Sequence, residues 1–228
     1  MKIGILGAMN EEIAPILASL KEYTGEEYAS NTFYQAKLND HNLTIACTKI
    51  GKVASALSAA LLIERYGCEI VLFSGVAGSL NKNLHIGDML IATSCVQHDL
   101  DITAFGHPAG FVPGINIAPK SDESLNQIAR QVASQLNIKL FEGIVASGDQ
   151  FVCNVNKKAW IKDTFNADAV EMEGASVAQV CDLMKVPFFV LRAISDEAGS
   201  GAEFDFDEFL KDSASKSAKF LLEMIKKI

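Results

Sequence analysis

Short, almost wholly apolar runs alternate along this chain with stretches in which apolar residues recur every three or four positions, the pattern of strands joined by helices. Lys2 to Ala8 is an apolar run with two glycines and predicts a strand buried on both faces. Pro15 lacks an N–H and is awkward beyond a first helical turn, so the helix ending near Leu20 is expected to begin around Glu12 or Ile13. Thr32 to Leu38 and Leu43 to Thr48 flank Asn39-Asp40-His41-Asn42 and predict an antiparallel hairpin, which makes the sheet mixed. Val53 to Tyr66 reads as a helix, and Ile70 to Phe73 as a buried strand that ends in a turn of small residues, Ser74 to Ser79. Asp88 to Gln97 is a further strand, and Thr103 to Pro119 is a loop rich in glycine and proline. Ser121 to Leu136 has Leu125, Ile128, Ala129, Val132 and Leu136 on one stripe, with Ser121 as the expected cap. Leu140 to Ala146 is a strand ending in the polar turn Ser147-Gly148-Asp149-Gln150, and a helix follows around Lys157 to Phe165.

The segment Val170 to Asp196 concentrates acids at strand ends. A short apolar and acidic strand carries Glu171 and Glu173, a glycine turn and an amphipathic segment follow, and the buried run Pro187 to Ile194 leads to Ser195 and Asp196. Acids at the open ends of α/β strands mark the crevice where such sheets bind ligands. On a straight strand Glu171 and Glu173 share one face, with Met172 on the other. Two bare carboxylates side by side are costly, so one is expected to meet a cation, and Arg192 is the available one. Glu197 to Ala202 reads as a flexible loop. The closing helix, Phe206 to Ile228, has an apolar stripe at Phe206, Phe209, Leu210, Ala214, Phe220, Leu221, Met224 and Ile225.

Composition narrows the class. The 228 residues, 49% of them apolar, suffice for a large core and read as one α/β domain, 1–228. A net charge of −8 opposes nucleic acid and anionic surfaces as partners. The five cysteines are odd in number and never spaced C-x-x-C, as in a reducing cytoplasm. The first strand is too brief for a secretory segment, and no apolar run approaches a membrane span. His98-Asp99-Leu100-Asp101 has the residue types of a metal site. It runs straight into a loop and lacks the fixed geometry a metal needs, so no metal and no other cofactor is expected. On position alone Glu11 and Glu12, at a strand-to-helix junction, read first as complements to a helix dipole, with work in a site as the alternative.

Five motifs taken together carry a family resemblance: G-A-M-N-E-E at 7–12, S-G-V-A-G at 74–78, S-G-D-Q-F at 147–151, V-E-M-E-G at 170–174 and R-A-I-S-D at 192–196. The chain resembles the 5′-methylthioadenosine/S-adenosylhomocysteine nucleosidases of the nucleoside phosphorylase superfamily, from Met1 to the last helix. The resemblance implies a three-layer α/β fold with a mixed, partly closed sheet between helices. It also implies a homodimer and hydrolysis of the N-glycosidic bond of adenine nucleosides. Glu12 would then activate the water and Asp196 protonate N7 of the departing adenine. Glu173 would hold the ribose hydroxyls above Met172, with Glu171, Arg192 and Ser195 in support. Phe151 would stack on the purine, the Val152 backbone would bind its edge, and Gly78 would lie in the binding loop. Relatives often carry a serine where this chain has Val76, so no hydroxyl contact is implied there. Met9, Ile50 and Phe206 would supply local walls. The loop from Phe105 to Pro113 would reach across to cap the pocket of a partner subunit. Relatives act on methylthioadenosine, S-adenosylhomocysteine, 5′-deoxyadenosine or, in some bacteria, 6-amino-6-deoxyfutalosine of menaquinone synthesis.

The chemistry of these residue types agrees with that reading. Adenine leaves poorly as an anion, so an acid must protonate it, while attack by water on a cation-like sugar needs a second carboxylate at a distance. A phosphorylase of the same fold would need arginines near the glycine loops, and segments 4–12 and 74–82 contain none. A binding protein without catalysis would lack the acid or the base. A dinucleotide enzyme is suggested only by G-I-L-G-A-M, which lacks the fingerprint spacing.

Overall fold

A computed structural model of the protein describes residues 1–196 and 206–228, without the side chains of Asp196 and residues 206–208. The elements run β1 (Lys2–Gly7), α1 (Asn10–Ala18), β2 (Tyr23–Tyr28), β3 (Asn31–Leu38), β4 (His41–Cys47), α2 (Lys52–Glu64) and β5 (Ile70–Ser79). Then come β6 (Met89–Gln97), a 3₁₀ turn at Thr103–Phe105, α3 (Glu123–Leu136), β7 (Leu140–Ser147) and α4 (Val155–Phe165). The last elements are β8 (Ala169–Glu171), α5 (Gly174–Met184), β9 (Phe188–Asp196) and α6 (Phe206–Ile225).

The strands lie in the order β2-β3-β4-β1-β5-β8-β7-β6-β9, and β9 returns to pair with β5. That last pairing closes β5, β8, β7, β6 and β9 into a ring and leaves β2, β3, β4 and β1 as an open wing. The sheet is mixed, with β1 parallel to both β4 and β5, and β3 antiparallel to β4. Alternation along the strands sorts the core onto two faces. Ile3, Ile5, Leu72, Phe189 and Leu191 pack under α1, α3 and α6. Leu6, Phe73, Val71, Phe188 and Val190 pack under α2 and α5. Helices on both faces make three layers, as expected, and strands buried on both sides explain the uninterrupted apolar runs. Among the described residues no helix is long and apolar enough to cross a membrane.

Several local expectations are corrected. Helix α1 starts at Asn10, before Glu12, and takes Pro15 into its interior. The Glu11 carbonyl loses its usual N–H partner there. Burial of Ile13, Ile16 and Leu17 under α6 and the Glu12 carboxylate at the helix start hold the helix nonetheless. Strand β2, whose residues are mostly exposed, shows no apolar alternation and is held by its antiparallel register with β3. The small residues Ser74 to Ser79 form no turn. They continue β5, because β9 runs beside them in parallel from Val71↔Phe188 to Gly78↔Asp196, and a ladder partner overrides weak strand propensity. The expected loop at 197–202 lies outside the described residues.

Helix α3 is capped by Asp122 rather than by Ser121. The Ser121 hydroxyl is buried and donates to the Ala92 carbonyl, while Asp122 Oδ1 accepts the Leu125 N–H at 3.0 Å. Asp122→Ala is therefore expected to lower unfolding stability by about 1 kcal/mol. Urea unfolding measures this, and an unchanged midpoint would show that the cap contributes nothing.

Candidate active site

Strands β1, β5 and β9 run parallel, and their C-terminal ends, with the end of β8, surround a cavity of about 260 Å³. Glu12, Glu171 and Glu173 all line it, with no lysine or arginine among the described lining residues. The walls are otherwise mostly apolar, with Gln150 and Ser195 the polar additions, and the expected Met9, Ile50, Gly78, Phe151, Val152, Met172 and Ser195 all reach it.

Glu12 is buried in the first turn of α1. Its Oε2 accepts the N–H groups of Ala8 at 2.6 Å and Met9 at 3.1 Å, and its Oε1 accepts the Val76 N–H at 3.1 Å. Burial pushes its carboxyl above the usual carboxylate range, against the pull of Arg192 and of those three donors. Such a group is fixed in place and keeps a strong affinity for a proton, the two properties a general base requires. Close approach depends on Gly75, where an added Cβ would lie 2.9 Å from Glu12 Oε1 and 3.3 Å from Arg192 Nη1. The continuous β5 strand thus serves the site by presenting a bare backbone to the carboxylate.

Glu171 and Glu173 do not share a strand face. Strand β8 stops at Glu171, and Glu173 turns into the start of α5 with φ −138° and ψ −36°. The repulsion expected of a straight strand is relieved by sending the two carboxylates to different partners. Glu171 Oε2 meets Arg192 Nη2 at 2.5 Å and accepts the Gly174 N–H at 2.8 Å, and Oε1 takes the Ser147 hydroxyl. Arg192 lies outside the cavity lining, fully buried, with its guanidinium 4.1 Å from the Phe73 ring centroid. Glu173 Oε1 accepts the Gly51 N–H at 2.7 Å. Burial, and then the neighbouring Glu171 charge, push its carboxyl up to about 7.

The apolar residues form an open mouth. Phe151 is 77% exposed and Ile50 61%, so one side of the cavity faces solvent. Phe105 is 81% exposed and, like Pro113, is absent from the described lining of the cavity. Ser195 Oγ lies 3.3 Å from the Ala77 carbonyl. The backbone of Asp196 pairs with Gly78, which puts it at the cavity rim, and its side chain lies outside the described residues, as does that of Phe206. Asp99, from the run that resembled a metal cluster, is bound to Lys52 Nζ at 2.6 Å.

Sequence reasoning passed over Gly51, Gly75, Ser147 and Gln150 as individual site residues. Gly75, Ser147 and Gln150 lie inside quoted motifs, but what they contribute is a backbone approach, a hydroxyl to a neighbour and a wall, none of which has a residue-type signature. Gly51 had one available signal, a glycine directly before a helix, where Ser, Thr, Asp or Asn is the commoner choice.

Comparison with known proteins agrees with this geometry. The family model described as "Phosphorylase superfamily" matches residues 2–226. The aminodeoxyfutalosine nucleosidase of Campylobacter jejuni is 60% identical over 228 residues, covering all of both chains. A 5′-methylthioadenosine/S-adenosylhomocysteine nucleosidase of Bacillus thuringiensis is 38% identical over 230 aligned positions, again covering both chains fully. The crystal structure of the C. jejuni 5′-methylthioadenosine/S-adenosylhomocysteine nucleosidase superposes with a TM-score of 0.98 at 60% identity, over the whole of both chains. With fold, site architecture and full-length likeness in agreement, this chain belongs to the phosphorylase superfamily.

Proposed function

We propose that the protein hydrolyses the N-glycosidic bond of adenine nucleosides and releases free adenine. The observation that carries this reading is Glu12, a buried carboxylate of raised proton affinity fixed by three N–H groups in a cavity with no lysine or arginine among its described lining residues. Such a site suits water as the nucleophile and repels phosphate. Glu12 takes the proton of the attacking water. Asp196, at the end of β9, gives a proton to N7 as the bond to the sugar breaks. Glu173 accepts the ribose hydroxyls, with Met172 beneath the sugar, and the developing positive charge on the sugar is stabilised by the nearby anions. The purine lies against Phe151 with its edge on the backbone of Val152.

The 5′ substituent decides among substrates. Similar proteins are named for aminodeoxyfutalosine and for methylthioadenosine and S-adenosylhomocysteine. These share the adenosine core and differ beyond C5′, where the mouth at Ile50 and Phe151 is open. The C. jejuni relatives at 60% identity bear both names, so the expected substrates are the whole set, 5′-deoxyadenosine included. The open mouth also supports a homodimer in which the loop from Phe105 to Pro113 covers the partner's cavity, since an exposed phenylalanine on each side of such a contact gains by burial. The chain 1–228 then acts as one domain. Its five free cysteines fit the cytoplasm.

Adenine release from each of these nucleosides tests the reading. Glu12→Gln and Asp196→Asn are each expected to lower kcat by about 10³-fold, because each removes one proton transfer with little change in volume. Near-wild-type turnover in either variant removes that residue from the mechanism.

The carboxylate that holds the hydroxyls is also a burden on the fold. A carboxyl whose pKa is raised to about 7 in the folded protein favours folding while protonated, and that advantage is lost as pH rises from the unfolded value through 7. Glu173→Gln, which keeps an acceptor for Gly51, is expected to melt higher than wild type at alkaline pH, by on the order of 2 kcal/mol in stability. The difference should close in mild acid, while activity on ribonucleosides falls. A difference in stability independent of pH would contradict the titration assigned to Glu173.

A further inference from the structure

We propose that Asp149 is a positioning residue for Glu173, acting through the backbone of Gly51 and Lys52. The inference rests on the role given to Glu173 above, and deepens it by naming what orients that carboxylate.

Gly51 precedes α2 with φ 100° and ψ 160°, a conformation that residues with side chains rarely adopt, and it has no side chain with which to cap the helix. Its N–H donates to Glu173 Oε1 at 2.7 Å. The next N–H along the chain, that of Lys52, donates to Asp149 Oδ1, also at 2.7 Å. Successive N–H groups are therefore taken by carboxylates from two separate loops. The peptide joining Gly51 to Lys52 is planar, so the Lys52 N–H contact holds that plane, and only the φ and ψ of Gly51 then separate it from the Gly51 N–H. Asp149 does the fixing.

Asp149 is itself held. Its N–H donates to Asp99 Oδ2 at 2.7 Å, and Asp99 Oδ1 pairs with Lys52 Nζ at 2.6 Å. Lys52, Asp99 and Asp149 thus form a closed ring that includes the backbone of Lys52. A second tie joins the same two elements from behind. The hydroxyls of Ser55 and Ser176 lie 2.6 Å apart, between the carbonyls of Gly51 and Glu173, at 2.9 and 2.7 Å from them. The Gly51 carbonyl and the Lys52 N–H belong to one peptide plane, which Ser55 holds at the back and Asp149 at the front. An Ala side chain at 149 would free that N–H, while Asn would still offer an oxygen to Lys52.

The groups facing the Glu173 carboxyl are Glu171 from β8 and Glu12 from α1, which repel its charge, and Arg192 from β9 and the Gly51 N–H, which favour it. Weakening the Gly51 contact leaves the carboxyl easier to protonate. The test is the pH profile of kcat/KM for adenine release from methylthioadenosine by wild type, Asp149→Ala, Asp149→Asn and Asp99→Asn. Asp149→Ala is expected to lose roughly tenfold, mostly through KM, with the acid limb moved to higher pH, and Asp149→Asn to stay within about threefold of wild type. Asp99→Asn, which loosens the ring from its far side, should move the limb in the same direction and serves if the alanine variant fails to fold. An unmoved acid limb in Asp149→Ala or Asp99→Asn, or equal losses in the alanine and asparagine variants, overturns the proposal. Wild-type protein that releases no adenine overturns the functional reading instead. The link is then judged on the carbon-13 NMR titration of the Glu173 carboxyl alone. An upward shift in Asp149→Ala supports it, and an unmoved titration overturns it.

Discussion

Arg192 and Glu171, both buried and in contact at 2.5 Å, hold the floor of the cavity in place. A buried pair of this kind contributes little net stability, but removing one partner strands a charge and costs about 3–5 kcal/mol. Its importance lies in what it leaves over. Three carboxylates converge on the cavity, and the one nearby guanidinium is committed to Glu171 and stacked on Phe73. Glu12 and Glu173 therefore share a surplus of negative charge within an apolar shell. Burial raises the proton affinity of both, and for Glu173 the charges of Glu171 and Glu12 add to it.

The fold delivers these groups by bringing strand ends together with almost no side chain between them. Closing β9 onto β5 sets Gly78 beside Asp196 and Gly75 beside Arg192. Gly7 completes the arrangement, since an added Cβ there would meet Ile13 at 2.8 Å and Glu12 at 3.0 Å. Where larger residues occur they lie at the mouth, as with Ile50 and Phe151, and form the apolar surfaces against which a planar base can rest.

Most of the architecture was legible because the strands are buried on both faces and the helices on one. Runs such as Ile70 to Phe73 and stripes such as Leu125, Ala129 and Val132 carry their own periodicity. The acids at 171 and 173 were legible from their places near a strand end, whereas position alone made Glu12 a helix-dipole complement and only its motif singled it out. What failed to show depended on partners distant in sequence. Ser74 to Ser79 is extended only because β9 lies alongside, and Glu173 leaves its strand because Gly51 and α5 offer better company than Glu171 does. Strand β2 carried no apolar pattern at all, since its place at the sheet edge leaves it mostly exposed. Periodicity reports burial, and it is silent where a residue is placed by a backbone hydrogen bond.

An excess of negative charge around a fixed base should admit water and refuse phosphate. Turnover of methylthioadenosine in oxygen-18 water, with and without added phosphate, examines that claim directly. The account predicts that the label appears on the anomeric oxygen of the released sugar and that phosphate neither speeds the reaction nor enters the product. A sugar 1-phosphate, or a rate that depends on phosphate, would contradict it.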